Sequence, residues 1–248
     1  MMNVLLNGIS GKMGQVVLDE TKKLDDIKIV AGISRQDFKC EIPVYSNPKD
    51  VKESIDIIID FSVPTSTMNI LDFAKEKKLP IVIATTGFTK EQEDKILEVS
   101  KEIPIFKSSN MSLEINLMCD MVAKLAKKLT NSDIEIVETH HRNKIDAPSG
   151  TALMLANSIN ESLNNQKEYV YDRHSKKEKR SDKEIGIHSI RGGTEVGTHT
   201  VYFFGNNESF EIKHTVSSRS IFAKGSLDAA KFLIEKNQGF YNMKDLIK

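Results

Sequence analysis

The first thirty-odd residues constrain the fold more than any other stretch. Asn3-Val4-Leu5-Leu6-Asn7 is a short apolar run that reads as a strand, and Gly8-Ile9-Ser10-Gly11-Lys12-Met13-Gly14 follows at once. Apolar positions then fall at helical spacing from about Gln15 to Lys23, and Ile27 to Ile33 is apolar again, ending at Ser34-Arg35. Strand, glycine turn, helix and strand make a βαβ unit, the frame in which a glycine-rich first turn means dinucleotide binding. The spacing is G-x-x-G-x-x-G, with Ile9 where the first glycine of the usual fingerprint would be and Gly8 one residue earlier. Glycines in such turns often serve only tight packing. Here the turn opens the chain's first βαβ and leads into a helix N-terminus, so the nucleotide reading is preferred.

The alternation continues with strands at 55–61, 80–84 and 105–106 and helices at 64–78 and 90–101. In a parallel sheet the turns after successive strands emerge on one edge. Gly8 to Met13, Ser34-Arg35, Phe61-Ser62, Ala84-Thr85-Thr86 and Ser108-Ser109-Asn110-Met111 are therefore expected to line one crevice. From about Ser112 the pattern changes. A helix to Lys128 carries Leu113, Leu117, Met121, Leu125 and Leu129 four apart, with Met118 and Met121 read as core filling. A strand at 133–139 and a helix from Gly150 follow, then a charged stretch, 164–184, read as a mobile loop. Segments 185–190, 198–204 and 210–216 read as antiparallel strands, with turns at Arg191-Gly192-Gly193 and Gly205-Asn206-Asn207. Helical pattern returns at 223–236. The fold class expected is α/β: a Rossmann-like dinucleotide-binding domain (1–110 with 217–248) and an inserted α+β, mixed-sheet domain (111–216).

Composition narrows the partners. Lysine and arginine number 35 against 35 acidic residues, so no general affinity for nucleic acid or an anionic membrane is indicated. Cys40 and Cys119 are far apart and form no CxxC pair, which argues against a zinc site and a disulfide framework and favours a reducing compartment. No signal peptide and no run of the ~18 apolar residues a membrane span needs are read, so a cytoplasmic protein is expected.

The second informative stretch is Glu138 to Ala152, E-T-H-H-R-N-K-I-D-A-P-S-G-T-A. It places His140, His141, Arg142, Lys144 and Asp146 between a strand and a helix that starts near Pro148-Ser149-Gly150-Thr151. The loop side chains are held by rigid elements, and the helix-start N–H groups at Gly150 and Thr151 can receive an anion. A solvated connection with incidental histidines is the alternative. With six histidines in 248 residues, an adjacent pair beside Arg and Lys is rare by chance.

With both features placed, the chain resembles the dihydrodipicolinate reductase (4-hydroxy-tetrahydrodipicolinate reductase) family of bacterial lysine and diaminopimelate biosynthesis. The resemblance spans nearly the full length: G-x-x-G-K-M-G at 8–14, D-F-S-x-P at 60–64, A-T-T-G-F at 84–88, S-N-M-S at 109–112, H-H-R-N-K-x-D-A-P-S-G-T at 140–151, R-G-G-T-x-V-G-x-H at 191–199 and S-S-R-x-x-F-A-x-G at 217–225. It implies an NAD(P)H-dependent homotetramer whose second domain binds a small dicarboxylate and builds the tetramer. By motif position, His140 is the general acid/base and Lys144 the proton donor, and no metal is implied. His141, Lys144, Ser149, Gly150 and Thr151 hold the substrate's carboxylates. NADPH or NADH meets Gly8, Ile9, Ser10, Gly11, Lys12, Met13, Arg35, Ala84, Thr85, Thr86, Ser108, Ser109, Asn110 and Met111. The implied reaction is loss of the 4-hydroxyl as water and hydride addition, giving tetrahydrodipicolinate.

Residue chemistry agrees. A dicarboxylate needs cations and a helix N-terminus, and hydride delivery needs a matching proton from Lys or His. Two departures from the family pattern are Glu114, often glycine there, and Ser34, often acidic. Ser34-Arg35 in place of a ribose-binding carboxylate predicts that both cofactors work, with NADPH favoured. Two other readings compete. A non-catalytic NAD(P) sensor would not need His140 and Lys144 together. A hydrolase binding metal through His140, His141 and Asp146 would need adjacent strand residues, which point to opposite faces, to chelate one ion.

Overall fold

A computed structural model describes residues 1–247. In chain order the elements are β1 (Met2–Asn7), α1 (Lys12–Thr21), β2 (Ile27–Ile33), β3 (Val44–Tyr45), β4 (Ile57–Asp60), α2 (Pro64–Lys77), β5 (Ile81–Ile83), α3 (Lys90–Val99) and β6 (Pro104–Lys107). There follow α4 (Leu113–Lys128), β7 (Asp133–His140), α5 (Gly150–Ser162), β8 (Glu168–Val170), β9 (Glu184–Arg191), β10 (Gly197–Phe204) and β11 (Ser209–Val216). The last are α6 (Ser220–Leu233), β12 (Gly239–Tyr241) and α7 (Met243–Ile247). The chain divides into two compact units, Met1–Ser112 with the stretch from Arg219 onward, and Leu113–Ser218.

The first unit is a parallel sheet in the order β12-β6-β5-β4-β1-β2-β3. Apart from β12 this is the doubly wound order, with its switch point between β1 and β4. The apolar runs exist because the sheet is covered on both faces. Val4, Leu6, Ile57, Ile59 and Val82 pack against α1 and α6, while Leu5, Ile58, Ile81, Ile83 and Ile105 pack against α2 and α3. Helix limits follow local chemistry. Pro64 opens α2, Lys78 closes it in the left-handed region (φ 55°), and a Thr89–Gln92 capping box starts α3. The short edge strands β3 and β12 and the helix α7 were not expected from the sequence.

The second unit is a five-stranded mixed sheet in the order β11-β10-β7-β9-β8. One face is buried under α4 and α5, around Ile134, Ile136, Ile187, Val201 and Phe203. Three expectations are corrected here. First, β9 is parallel to β7 and does not pair with β10; β10 lies on the other side of β7, antiparallel to it and to β11. The Gly192-Gly193 turn is therefore an arch over the end of β7 and not a hairpin, a distinction that period-2 alternation cannot make. Second, α4 buries Ile115, Met118, Cys119, Val122 and Ala126, whereas Leu113, Leu117 and Met121 are exposed. A four-residue repeat drifts around a helix of 3.6 residues per turn, so the row is exposed at Leu113, Leu117 and Met121 and reaches the core only at Leu125 and Leu129, while Met118 fills the core and Met121 does not. Third, the 164–184 stretch contains β8 and is tied down by ions. Arg180 binds Asp133 and Glu135 (2.7 and 2.9 Å), and buried Glu184 pairs with Arg173 and Lys176.

Candidate active site

Along β7, Ile134, Ile136, Glu138 and His140 alternate onto the helix-covered face. The last two form the polar end of an apolar row. Glu138 is fully buried and accepts four hydrogen bonds: from His140 Nδ1 (2.5 Å), from the Ser149 N–H (3.1 Å) and two from the Arg191 guanidinium (2.7 and 2.8 Å). Burial pushes its carboxyl up, but donation from His140, Arg191 and Ser149 outweighs that and holds it far below the ordinary carboxylate range. The result is a charged, fully bonded centre beneath His140. The other side of the His140 ring faces Gly197. A Cβ there would sit 3.0 Å from His140 Nε2, so the missing side chain leaves the imidazole its place.

The loop after β7 is fixed at several points. The Gly192 N–H donates to the His140 carbonyl (3.0 Å), Arg142 N–H to Gly193 (3.2 Å), and Arg191 Nη2 to the Asp146 carbonyl (2.7 Å). Lys144 Nζ lies 2.9 Å from Asp146 Oδ1. A cis peptide precedes Pro148. Ser149 then caps α5, its hydroxyl accepting from the Ala152 N–H (3.2 Å), with Gly150 exposed and Thr151 half-buried behind it. His199 on β10 completes the group. Its Nε2 is 3.0 Å from Ser149 Oγ, and its ring meets that of His140 edge-on with centroids 5.1 Å apart. Burial lowers its pKa to about 3, with His140 adding to the effect.

His140, Lys144 and Ser149 to Thr151 thus lie in one loop and helix start. His141 is half-buried just past the strand, where its carbonyl accepts from Lys144 N–H (3.1 Å). Among the described residues no group of three or more His, Cys, Asp or Glu could hold a metal ion. Three further residues, Glu138, Arg191 and His199, complete the site beyond those expected from the sequence. Strand parity could have found Glu138, two residues before His140 on the same face. Arg191 and His199 come from β9 and β10, which only the sheet pairing brings to β7.

In the first unit, the turns of the C-terminal sheet edge surround a cleft of about 270 Å³ lined by Gly8, Ser10, Gly11, Ser34, Arg35 and Ser62. Gly8 takes φ +84°, and a Cβ on Gly14 would meet the Gly8 carbonyl at 2.2 Å, so both glycines are required where α1 starts against the turn. Gly11, the N-cap, brings no capping side chain, and the first-turn N–H groups at Lys12 and Met13 have no partner within the helix. That cradle fits a pyrophosphate. Ile9 and Met111 send their side chains into the core, leaving only backbone for a ligand. Ala84, Ser108 and Asn110 are half-buried, and Thr86 and Ser109 exposed. Thr85 is buried and donates to Asp60 (2.9 Å), which also accepts from Asn7, Ser62 and Thr67 and so binds three turns together. Ser34 joins Ser10 through their hydroxyls (2.8 Å), and Arg35 stands exposed beside them.

A doubly wound sheet with a glycine turn feeding a helix N-terminus, in one chain with a buried Glu–His–Arg centre, defines a dinucleotide-dependent oxidoreductase. Family models described as dihydrodipicolinate reductase, N-terminus and C-terminus, match residues 2–111 and 114–247. Proteins named 4-hydroxy-tetrahydrodipicolinate reductase from Caldanaerobacter subterraneus subsp. tengcongensis and Clostridium tetani are 49% and 45% identical, over 100% and 98% of this chain and 99% and 96% of theirs. The dipicolinate-bound dihydrodipicolinate reductase of Paenisporosarcina sp. TG-14 shares the fold with a TM-score of 0.82 at 24% identity, covering 98% of this chain and 97% of that one. The chain belongs to the dihydrodipicolinate reductase family, and is an NAD(P)H-dependent oxidoreductase of lysine and diaminopimelate biosynthesis.

Proposed function

We propose that the chain reduces 4-hydroxy-tetrahydrodipicolinate to tetrahydrodipicolinate with loss of water, using His140 and Lys144 for proton transfer and either NADPH or NADH, with NADPH preferred. The observation that carries the reading is the Glu138–His140 pair at the mouth of a helix N-terminus. Glu138 takes His140 Nδ1 and is itself held ionised by Arg191, which leaves Nε2, beside Gly197, as the nitrogen that exchanges a proton. Lys144, oriented by Asp146, is the second proton source. Ser149, Gly150 and Thr151 at the start of α5, with His141 and Lys144, receive the two carboxylates. The bound nicotinamide supplies hydride. Gly8 to Met13 hold its pyrophosphate, and Ala84 to Thr86 and Ser108 to Met111 line the nicotinamide end.

Nucleotide choice rests on Ser34 and Arg35. The Ser34 hydroxyl is engaged by Ser10 and Gln36 and presents no carboxylate to a 2′-phosphate, while the Arg35 guanidinium is free to meet one. The assembly is a homotetramer joined through the second unit, whose outer sheet face exposes Ile190 and Phe204 with Tyr202 stacked on Phe204 at 5.5 Å. Light scattering that shows a monomer at micromolar concentration overturns the assembly. For the activity, 4-hydroxy-tetrahydrodipicolinate is made in situ from pyruvate and aspartate semialdehyde and NAD(P)H absorbance is followed. Substrate-dependent oxidation of both cofactors is expected, with the NADPH KM about tenfold lower; no oxidation contradicts the assignment.

A further inference from the structure

His199 has no part in the proton chemistry above, yet it is 3% exposed and sits between His140 and the cap of α5. Its Nδ1 is buried without a hydrogen-bond partner. Around it stand Glu138 and His140 on β7, His214 opposite on β11, and Lys144 in the loop; burial, with His140, His214 and Lys144, keeps the ring neutral against the opposing pull of Glu138. A neutral imidazole carries one N–H, on one nitrogen or the other. Placed on Nδ1, that N–H would be a buried donor with nothing to bond, the costlier arrangement. Placed on Nε2, it donates to Ser149 Oγ at 3.0 Å, and only a lone pair goes unmet. The second arrangement is favoured.

The consequence falls on Ser149. Its oxygen then accepts twice, from the Ala152 N–H at 3.2 Å and from His199 Nε2–H, which uses both lone pairs. The hydroxyl proton then has no acceptor among these partners and, in a side chain that is itself buried, is left for a ligand at the start of α5. The geometry points to His199 as a positioning residue: it fixes Ser149 as a hydrogen-bond donor, and so as a group that selects for carboxylate, in the substrate site. The inference rests on the reading that the start of α5 receives a substrate carboxylate. Without His199, the Ser149 proton is free to turn inward and its oxygen would then face the carboxylate, which repels it.

The tautomer is read in the intact wild-type protein by imidazole nitrogen NMR: Nε2 is expected protonated and Nδ1 bare across neutral pH, and protonation at Nδ1 overturns the inference. Dipicolinate serves as the binding probe, measured by calorimetry. His199→Met is expected to weaken it about tenfold, and His199→Gln, whose amide N–H reaches the Nε2 place, to restore it to within about threefold. Ser149→Ala should also weaken it, and His199→Met should then add nothing in that background. Equal losses from His199→Met with and without Ser149 mean a merely structural histidine and overturn the inference. If Ser149→Ala leaves dipicolinate affinity unchanged, the carboxylate reading of the α5 start fails and the inference with it. If Ser149→Ala weakens binding and His199→Met does not, the inference alone fails.

Discussion

Among the described residues each unit has one carboxylate with no exposed surface, Asp60 and Glu138, and the two are held in opposite ways. Asp60, at the end of β4, is bonded only by neutral donors from Asn7, Ser62, Thr67 and Thr85, and burial pushes its pKa up. Glu138, near the end of β7, is bonded by a guanidinium, an imidazole and a helix-start N–H, and its pKa is driven down. The first ties the turns around the glycine-lined cleft together. The second stands under His140, the residue proposed above to exchange protons. A buried carboxylate with neutral partners is scaffold; one paired with cations keeps its charge and can steer an imidazole.

The largest test of that contrast is substitution of the two carboxylates. Glu138→Gln leaves Arg191 charged and uncompensated and should cost about 3–5 kcal/mol in denaturant unfolding, together with about a hundredfold in kcat. Asp60→Asn should cost about 1–3 kcal/mol and leave kcat at saturating cofactor within a few-fold, since no charge pair is broken. If the two variants lose turnover equally, the distinction collapses.

A smaller effect is the pH dependence of stability, where the signs differ. Glu138 has a folded pKa below its ordinary 4.5, so its contribution is whole above that pH and is lost as pH falls. Asp60 is raised above 3.8, so its contribution is whole below 3.8 and is lost as pH rises through the folded pKa. His199, lowered from 6.5 to about 3, stays neutral in the fold while the unfolded chain takes up a proton, so stability falls between pH 6.5 and 3. Each group changes the slope by up to about 1.4 kcal/mol per pH unit. Melting curves from pH 3 to 7 should therefore be flatter on the acid side for Glu138→Gln and His199→Gln, and steeper for Asp60→Asn. The smallest effect is at the cofactor: Arg35→Ala should raise the NADPH KM about tenfold, or ~1.4 kcal/mol, and move NADH little. An equal shift for both shows that Arg35 stacks without reading a phosphate.

Legibility in the sequence followed how local each feature is. The doubly wound sheet was legible because strands buried on both faces read as apolar runs separated by helical pattern. Its edges were not, since β3 and β12 have only two and three residues. His140, Lys144 and Ser149 were legible because one loop carries them. Glu138 lies in the same stretch and needed only the parity of a strand. Arg191 and His199 are the two ends of the 191–199 motif, but their place beside Glu138 was out of reach: they come 53 and 61 positions after it in the sequence and arrive by pairing of β9 and β10 on either side of β7. The direction of β9 and the outward turn of Met121 depart from the sequence expectation for one reason. Periodicity reports that a face exists, and packing decides which face is covered.

The central claim is that His140 and Lys144 transfer protons and do not merely shape the site. Its most direct measurement is turnover in the coupled assay for His140→Gln and Lys144→Ala, with NADPH affinity measured on the same preparations. The account predicts kcat lower by about a hundredfold or more in each, with NADPH binding unchanged. Near wild-type turnover in either variant would contradict the role given to that residue.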